Sequence, residues 1–211
     1  MTKPRSRCFV LIDETGSMHN DREITMSAVN EYLDTLEMEA PKTRVTITKF
    51  NSSGVVDLCQ QVKVGKAQRL NRTNYIPSAL TPLWDAVGRM LKKAEDAYNK
   101  GDRVLCVILT DGNENCSIEY NSKNIATKVK ECTNKGWQFV FLGADIDAWN
   151  SAKLGGFEMR QTTSFNKADL SNVMANAAAA SAAYMAGVST GYFSTDGGKD
   201  LRKDQLYNKD K

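Results

Sequence analysis

The chain has 211 residues, 41% hydrophobic and 25% charged, with 14 Gly, 4 Pro and 8% aromatic residues, an ordinary globular composition without collagenous or low-complexity bias. At this length one layered domain buries most of the surface its unfolded chain exposes, which excludes a small scaffold stapled by disulfides or zinc. The formal charge of +3, from 28 basic and 25 acidic residues, is too mild for a protein built around a phosphate backbone, which shows a concentrated basic stripe.

No apolar run approaches the roughly 18 to 20 residues of a membrane-spanning helix. The basic N-terminus, MTKPRSRCFVLID, has only Phe9 to Ile12 as an apolar stretch before Asp13, too short for a signal peptide. The five cysteines (Cys8, Cys59, Cys106, Cys116, Cys132) are odd in number and form no C-x-x-C pair, which fits a reducing compartment. A cytoplasmic, intracellular protein is therefore expected. The single histidine, His19, rules out most His-based zinc sites and any Ser-His-Asp scheme that is not built on it.

In chain order, Arg7 to Asp13 reads as a first strand, continuously apolar until its closing aspartate. Met26, Val29, Leu33, Leu36 and Ala40 then recur at helical spacing, with Asn20 or Asp21 as the N-cap and Pro41 as the stop. Arg44 to Phe50 is a second strand. After the turn-like Asn51-Ser52-Ser53-Gly54, Val55 to Gln61 pairs back on it as a hairpin, giving one antiparallel edge. Trp84, Val87, Leu91, Ala94 and Tyr98 mark a second helix, with Pro82 at its start, where a missing amide donor costs little.

Arg103 to Asp111 is a strand whose VLCVILT run is apolar throughout, the pattern of a parallel sheet covered on both faces. Ser122 to Asn134 is a helix ended by Gly136, and Trp137 to Asp145 a further strand. Trp137 and the helical Trp84 and Trp149 read as packing residues. Gly155-Gly156 breaks the chain before a last strand near Met159 to Phe165, and Asp169 to Val188 is an alanine-rich helix. Its Ala177 to Ala180 run suits close helix packing or simply helix propensity.

The expected fold is α/β: a doubly wound, mostly parallel central sheet with one antiparallel edge strand and helices on both faces. Residues 1–188 form this domain, and 189–211, polar and poor in apolar anchors, form a flexible C-terminal extension.

In such a sheet ligands bind outside the carboxyl ends of the strands, where the strand order reverses. The informative residues follow strands. Asp13, Thr15 and Ser17 alternate after the first strand around Gly16, Asp111 closes the LTDG segment, and Thr81 precedes the second helix. Two carboxylates and three hydroxyls make an all-oxygen set suited to Mg²⁺, a hard cation that keeps several waters.

These residues resemble the von Willebrand factor A-type domains, stand-alone bacterial or bacteriophage members included. Their metal-ion-dependent adhesion site (MIDAS) has the pattern D-x-S-x-S, then a Thr, then an Asp on successive loops. The pattern here reads Asp13-Glu14-Thr15-Gly16-Ser17, then Thr81, then Asp111. Thr15 replaces the usual Ser and keeps the hydroxyl while adding a methyl group. The resemblance, spanning about residues 7–165, implies a metal site of Asp13, Thr15, Ser17, Thr81 and Asp111 and no enzymatic activity. It implies Mg²⁺, with Mn²⁺ or Ca²⁺ as alternatives. Ser17 and Thr15 would bind the metal directly, Thr81 directly or through water, and Asp13 and Asp111 largely through water. The open position would take a Glu or Asp from a partner protein, with an ATPase or a larger assembly as its context.

Two other functions have a partial signature in the sequence. A haloacid dehalogenase-type phosphoryl transferase also ends its first strand in Asp, but its D-x-D-x-T signature needs a carboxylate where Thr15 stands, and LTDG lacks a paired acid. RNA or DNA binding by the rim loops would rest on Lys63, Lys66, Arg69 and Arg72, with only Tyr75 for stacking. No G-x-G-x-x-G or Walker lysine motif occurs. Glu14, Asn113 and Glu114 flank the site as candidates to tune it or to touch a partner, or as ordinary polar loop residues.

Overall fold

The computed structural model describes residues 4–143, 146–157, 162–164 and 169–188. The extension expected at 189–211 lies outside them. Six strands form one sheet in the order β3-β2-β1-β4-β5-β6. They are β1 (Ser6–Asp13), β2 (Arg44–Asn51), β3 (Gly54–Lys63), β4 (Arg103–Thr110), β5 (Gln138–Gly143) and β6 (Thr162–Ser164). The helices are α1 (Arg22–Glu39), α2 (Leu83–Ala97), α3 (Ser122–Asn134), α4 (Ile146–Leu154) and α5 (Leu170–Ala186).

Every strand pair is parallel except β2 with β3. The continuous apolar runs have a simple origin. In β4, Leu105, Val107 and Leu109 enter one core with α1 and α5, while Val104, Cys106 and Ile108 enter the other with α2 and α3. The β1 residues divide the same way, Cys8, Val10 and Ile12 against Phe9 and Leu11. With both faces covered, neither side of the strand can be polar. Ala152 of α4 joins the second core.

The strands lie close to their expected positions. β3 runs two residues further than expected, to Lys63, through register shifts opposite Val45 to Thr48 and a positive φ of 48° at Gln61. Asp111 falls just beyond β4, and Trp137 just before β5. Only 162–164 of the last strand, and 138–143 of the one before it, fall in described strand. Asp21 takes the N-cap position of α1 without a capping side-chain bond. Gly136 follows α3 at φ +87°, the left-handed stop that glycine adopts without strain. In α5, Ala177 and Ala178 are buried in the α1 core and Ala180 packs partly buried against it, so that three of the four alanines in the run face inward. Trp137 is buried, its ring edge-on to Tyr98.

Arg7 and Asp102 brace the amino ends of the central strands. Arg7 Nε donates to Asp102 Oδ2 at 2.6 Å, and both side chains are almost wholly enclosed. The amides of Arg5 and Asn99 also donate to Asp102. Burial alone would raise the Asp102 carboxyl. These hydrogen bonds and the guanidinium charge outweigh it and hold the group below the usual carboxylate range.

Candidate metal centre

The strand order reverses between β1 and β4, because the chain runs outward from β1 to β2 and β3 and then returns to β4 on the other side. The carboxyl ends of these two strands therefore open onto one crevice. Asp13 ends β1 and Asp111 follows β4.

Ser17, in the 3-10 turn Gly16–His19, donates its hydroxyl to Asp111 Oδ1 at 2.6 Å. Its oxygen lies 3.1 Å from Thr15 Oγ1. Asp13 accepts the Thr15 amide at 2.7 Å and the Thr110 hydroxyl at 2.6 Å. The buried Tyr75 hydroxyl donates to the Asp13 carbonyl at 2.7 Å. Thr81 comes from the third loop. A Cβ on Gly112 would sit 3.2 Å from Thr81 Oγ1 and 3.5 Å from Ser17 Oγ, so these two hydroxyls border the space that glycine leaves clear. The five residues expected at the site are thus brought together.

Asp13 is fully buried, whereas Ser17 is exposed, giving a site with a closed floor and an open mouth. Burial pushes the Asp13 carboxyl up to about 6, against hydrogen bonds from Thr110 and Thr15 that lower it, and the Asp111 charge adds a smaller upward push. A bound cation would act in the opposite direction.

The donors suit a small divalent cation. All are oxygens, and only two are carboxylates. Among the described residues no three His, Cys, Asp or Glu side chains cluster into a ready-made cage, so a metal here depends on hydroxyls and water, as Mg²⁺ tolerates.

The supporting contacts include residues that the sequence did not single out. Thr110 holds Asp13, and Asn115 latches Thr81 from both sides: its Oδ1 accepts the Thr81 amide at 2.9 Å and its own amide donates to the Thr81 carbonyl at 3.1 Å. A hydroxyl at the end of β4 was the available signal for Thr110. Ala79 adopts a left-handed φ of 68°, and its carbonyl accepts the Gly16 amide at 3.0 Å. Glu14 faces inward, accepting Lys49 Nζ at 2.7 Å and the Ile76 amide at 2.6 Å. Glu114 accepts the Trp84 amide at the start of α2 and the amides of Cys116 and Ser117. Both are braces of the site loops. Asn113 stays exposed at the rim.

The basic cluster considered for nucleic acid is partly neutralised. Arg69 pairs with Asp34 and Glu37, and Arg72 with Glu23. Among the described residues no helix is long and apolar enough to cross a membrane.

The sequence profile of the von Willebrand factor type A domain matches residues 9–178. No curated protein matches the chain by sequence. Among solved structures, the pilus adhesin SpaC from Lactobacillus rhamnosus GG, in its open conformation, superposes with a TM-score of 0.63 at 12% identity, over 88% of this chain and 31% of its own. A von Willebrand factor type A protein from Catenulispora acidiphila gives 0.59 at 14% identity, over 86% and 43%. Proximal thread matrix protein 1 from the mussel byssus, in a structure with a zinc-occupied MIDAS motif, gives 0.58 at 11% identity, over 83% and 45%. The chain thus spans less than half the length of each of these three. Sequence profile and fold agree: the chain belongs to the von Willebrand factor type A domain family.

Proposed function

We propose that this domain is a divalent-cation-dependent protein-interaction module rather than an enzyme. The observation that carries the reading is the convergence of three loops: Ser17 joins Thr15 and Asp111 in one hydrogen-bonded cluster and meets Thr81 across the space at Gly112. Ser17, Thr15 and Thr81 would hold the cation through their hydroxyls, with Asp13 and Asp111 balancing its charge mainly through water. Mg²⁺ is the expected ion, with Mn²⁺ or Ca²⁺ as substitutes. The cation would supply electrophilic attraction for a Glu or Asp carboxylate of a partner, and the exposed position of Ser17 leaves the approach open.

On the loops that carry the candidate residues, Leu80 beside Thr81, Ile76 on the same loop and Ile118 on the Asp111 loop are all more than half exposed. Exposed apolar side chains on the loops of a polar centre suit contact with a protein surface. Binding fits better than phosphoryl transfer because Thr15 occupies the place of the second carboxylate, and both existing carboxylates are held by neighbouring hydroxyls. All five cysteines are free, in keeping with a reducing cytoplasm and a partner there, such as an ATPase or a larger assembly.

The test is capture of proteins from a lysate on immobilised wild-type and Asp111→Ala domains, in Mg²⁺ and in EDTA. A partner retained only by the wild type in Mg²⁺ supports the reading. A partner retained equally in EDTA, or by Asp111→Ala, refutes it.

A further inference from the structure

At the opposite end of the sheet, where the strands begin, a groove of about 670 Å³ opens between the ends of α1 and α5 and the edges of β1 to β4. Its volume falls in the range of small-molecule sites. The charge lining it is lopsided: Arg5, Lys42, Arg44, Lys63 and Arg103 contribute five cations, against Glu39 alone.

Among the described residues none of the five forms an ion pair, whereas Arg69, Arg72, Lys93 and Lys135 elsewhere on the surface all do. Arg44 donates only to the Gln61 carbonyl, at 2.6 Å. Five like charges around one concavity repel one another and raise the local potential for an anion.

A second observation is independent of charge. Thr43 also lines the groove, is 1% exposed, and its hydroxyl has no hydrogen-bond partner among the described residues. Its backbone is fully engaged, the amide with Ala40 and the carbonyl with Val64. A buried hydroxyl left without a partner is costly, and this one lies in the wall that carries the five cations.

We propose that this groove binds a small polyphosphate anion. Guanidinium forks and ammonium groups suit phosphoryl oxygens. A single carboxylate would leave most of the five positive charges uncompensated, whereas a chain of two or three phosphoryl groups comes close to matching their number. The phosphate chain is the recognised part, whether it arrives as an inorganic polyphosphate or on a nucleoside triphosphate.

The experiment is calorimetric titration of the full chain in EDTA, which keeps the metal centre out of the readout, with inorganic tripolyphosphate, ATP and poly-glutamate as separate probes. Saturable tripolyphosphate binding is expected, to be abolished by the exposed charge reversals Lys42→Glu and Lys63→Glu together. ATP binding of equal strength assigns recognition to the phosphate chain, and tighter ATP binding adds the nucleoside. No saturable binding at millimolar tripolyphosphate, equal binding of poly-glutamate, or undiminished affinity in the charge-reversed protein overturns the proposal. Because the titration contains no divalent cation, its failure leaves the metal-dependent reading untouched.

Discussion

Gly112→Ala separates folding from metal capture within one methyl group. The new Cβ would stand 3.2 Å from Thr81 Oγ1 and 3.5 Å from Ser17 Oγ, a contact tight enough to shift one hydroxyl by a few tenths of an ångström. The residue is half-buried and its φ lies outside the left-handed region. Alanine should therefore cost the fold little, and reduced freedom of the unfolded chain favours it by about 0.4–1 kcal/mol. Metal binding should respond differently, because supporting residues around a bound ion are typically worth roughly 10- to 100-fold in affinity. The assay is a urea melt in EDTA, to measure stability, beside calorimetric titration of Mg²⁺. Unchanged or slightly raised stability with affinity lowered at least tenfold is expected. Full Mg²⁺ affinity in the variant would show that the space over Gly112 is not where the ion sits.

Asn115→Ala removes the side-chain half of the latch on Thr81 and should lower metal affinity about tenfold, with a stability change under about 1 kcal/mol in a urea melt because the site is exposed. Asp102→Asn tests the brace at the other end of the sheet. The Asp102 carboxyl is held below its usual range, so its contribution is fully present above the ordinary unfolded pKa of about 4 and is lost as pH falls through the folded value. The variant should be less stable at pH 7, and its gap from the wild type should narrow in acid. A gap independent of pH between 7 and 2 contradicts the pairing. Gly187→Ala should destabilise by about 1–2 kcal/mol, since Gly187 ends α5 at φ +80° and a Cβ would meet Arg103 Nη2 at 2.8 Å. Thermal melts compared with Ala186→Gly measure it.

Much of the fold was legible because its determinants are local. The apolar runs of β1 and β4, the 3 and 4 spacing in α1 and α2, and Gly136 after α3 each act within a dozen residues. The meeting of the candidate residues was legible for a related reason: in a doubly wound sheet, loop side chains collect where strands end, so that Asp13, Thr15 and Ser17 share one loop and Asp111 marks the next. What escaped were pairings across the chain. Nothing around Arg7 announces Asp102, 95 positions away, and nothing in Asn115 announces Thr81. Glu14 and Glu114 have the sequence character of exposed loop acids, yet they serve as buried or half-buried acceptors for loop amides, a role fixed only when the loops meet. The extra length of β3 depends on a shift of register at Ile47 that no alternation pattern encodes.

The most direct test of the metal centre is calorimetric titration of Mn²⁺ into EDTA-stripped wild-type and Ser17→Ala domains. The account predicts one saturable site in the wild type and none in Ser17→Ala, whose melting in EDTA stays close to that of the wild type because Ser17 is exposed. Equal Mn²⁺ binding by both proteins would contradict it and place the ion away from the Ser17, Thr15 and Asp111 cluster.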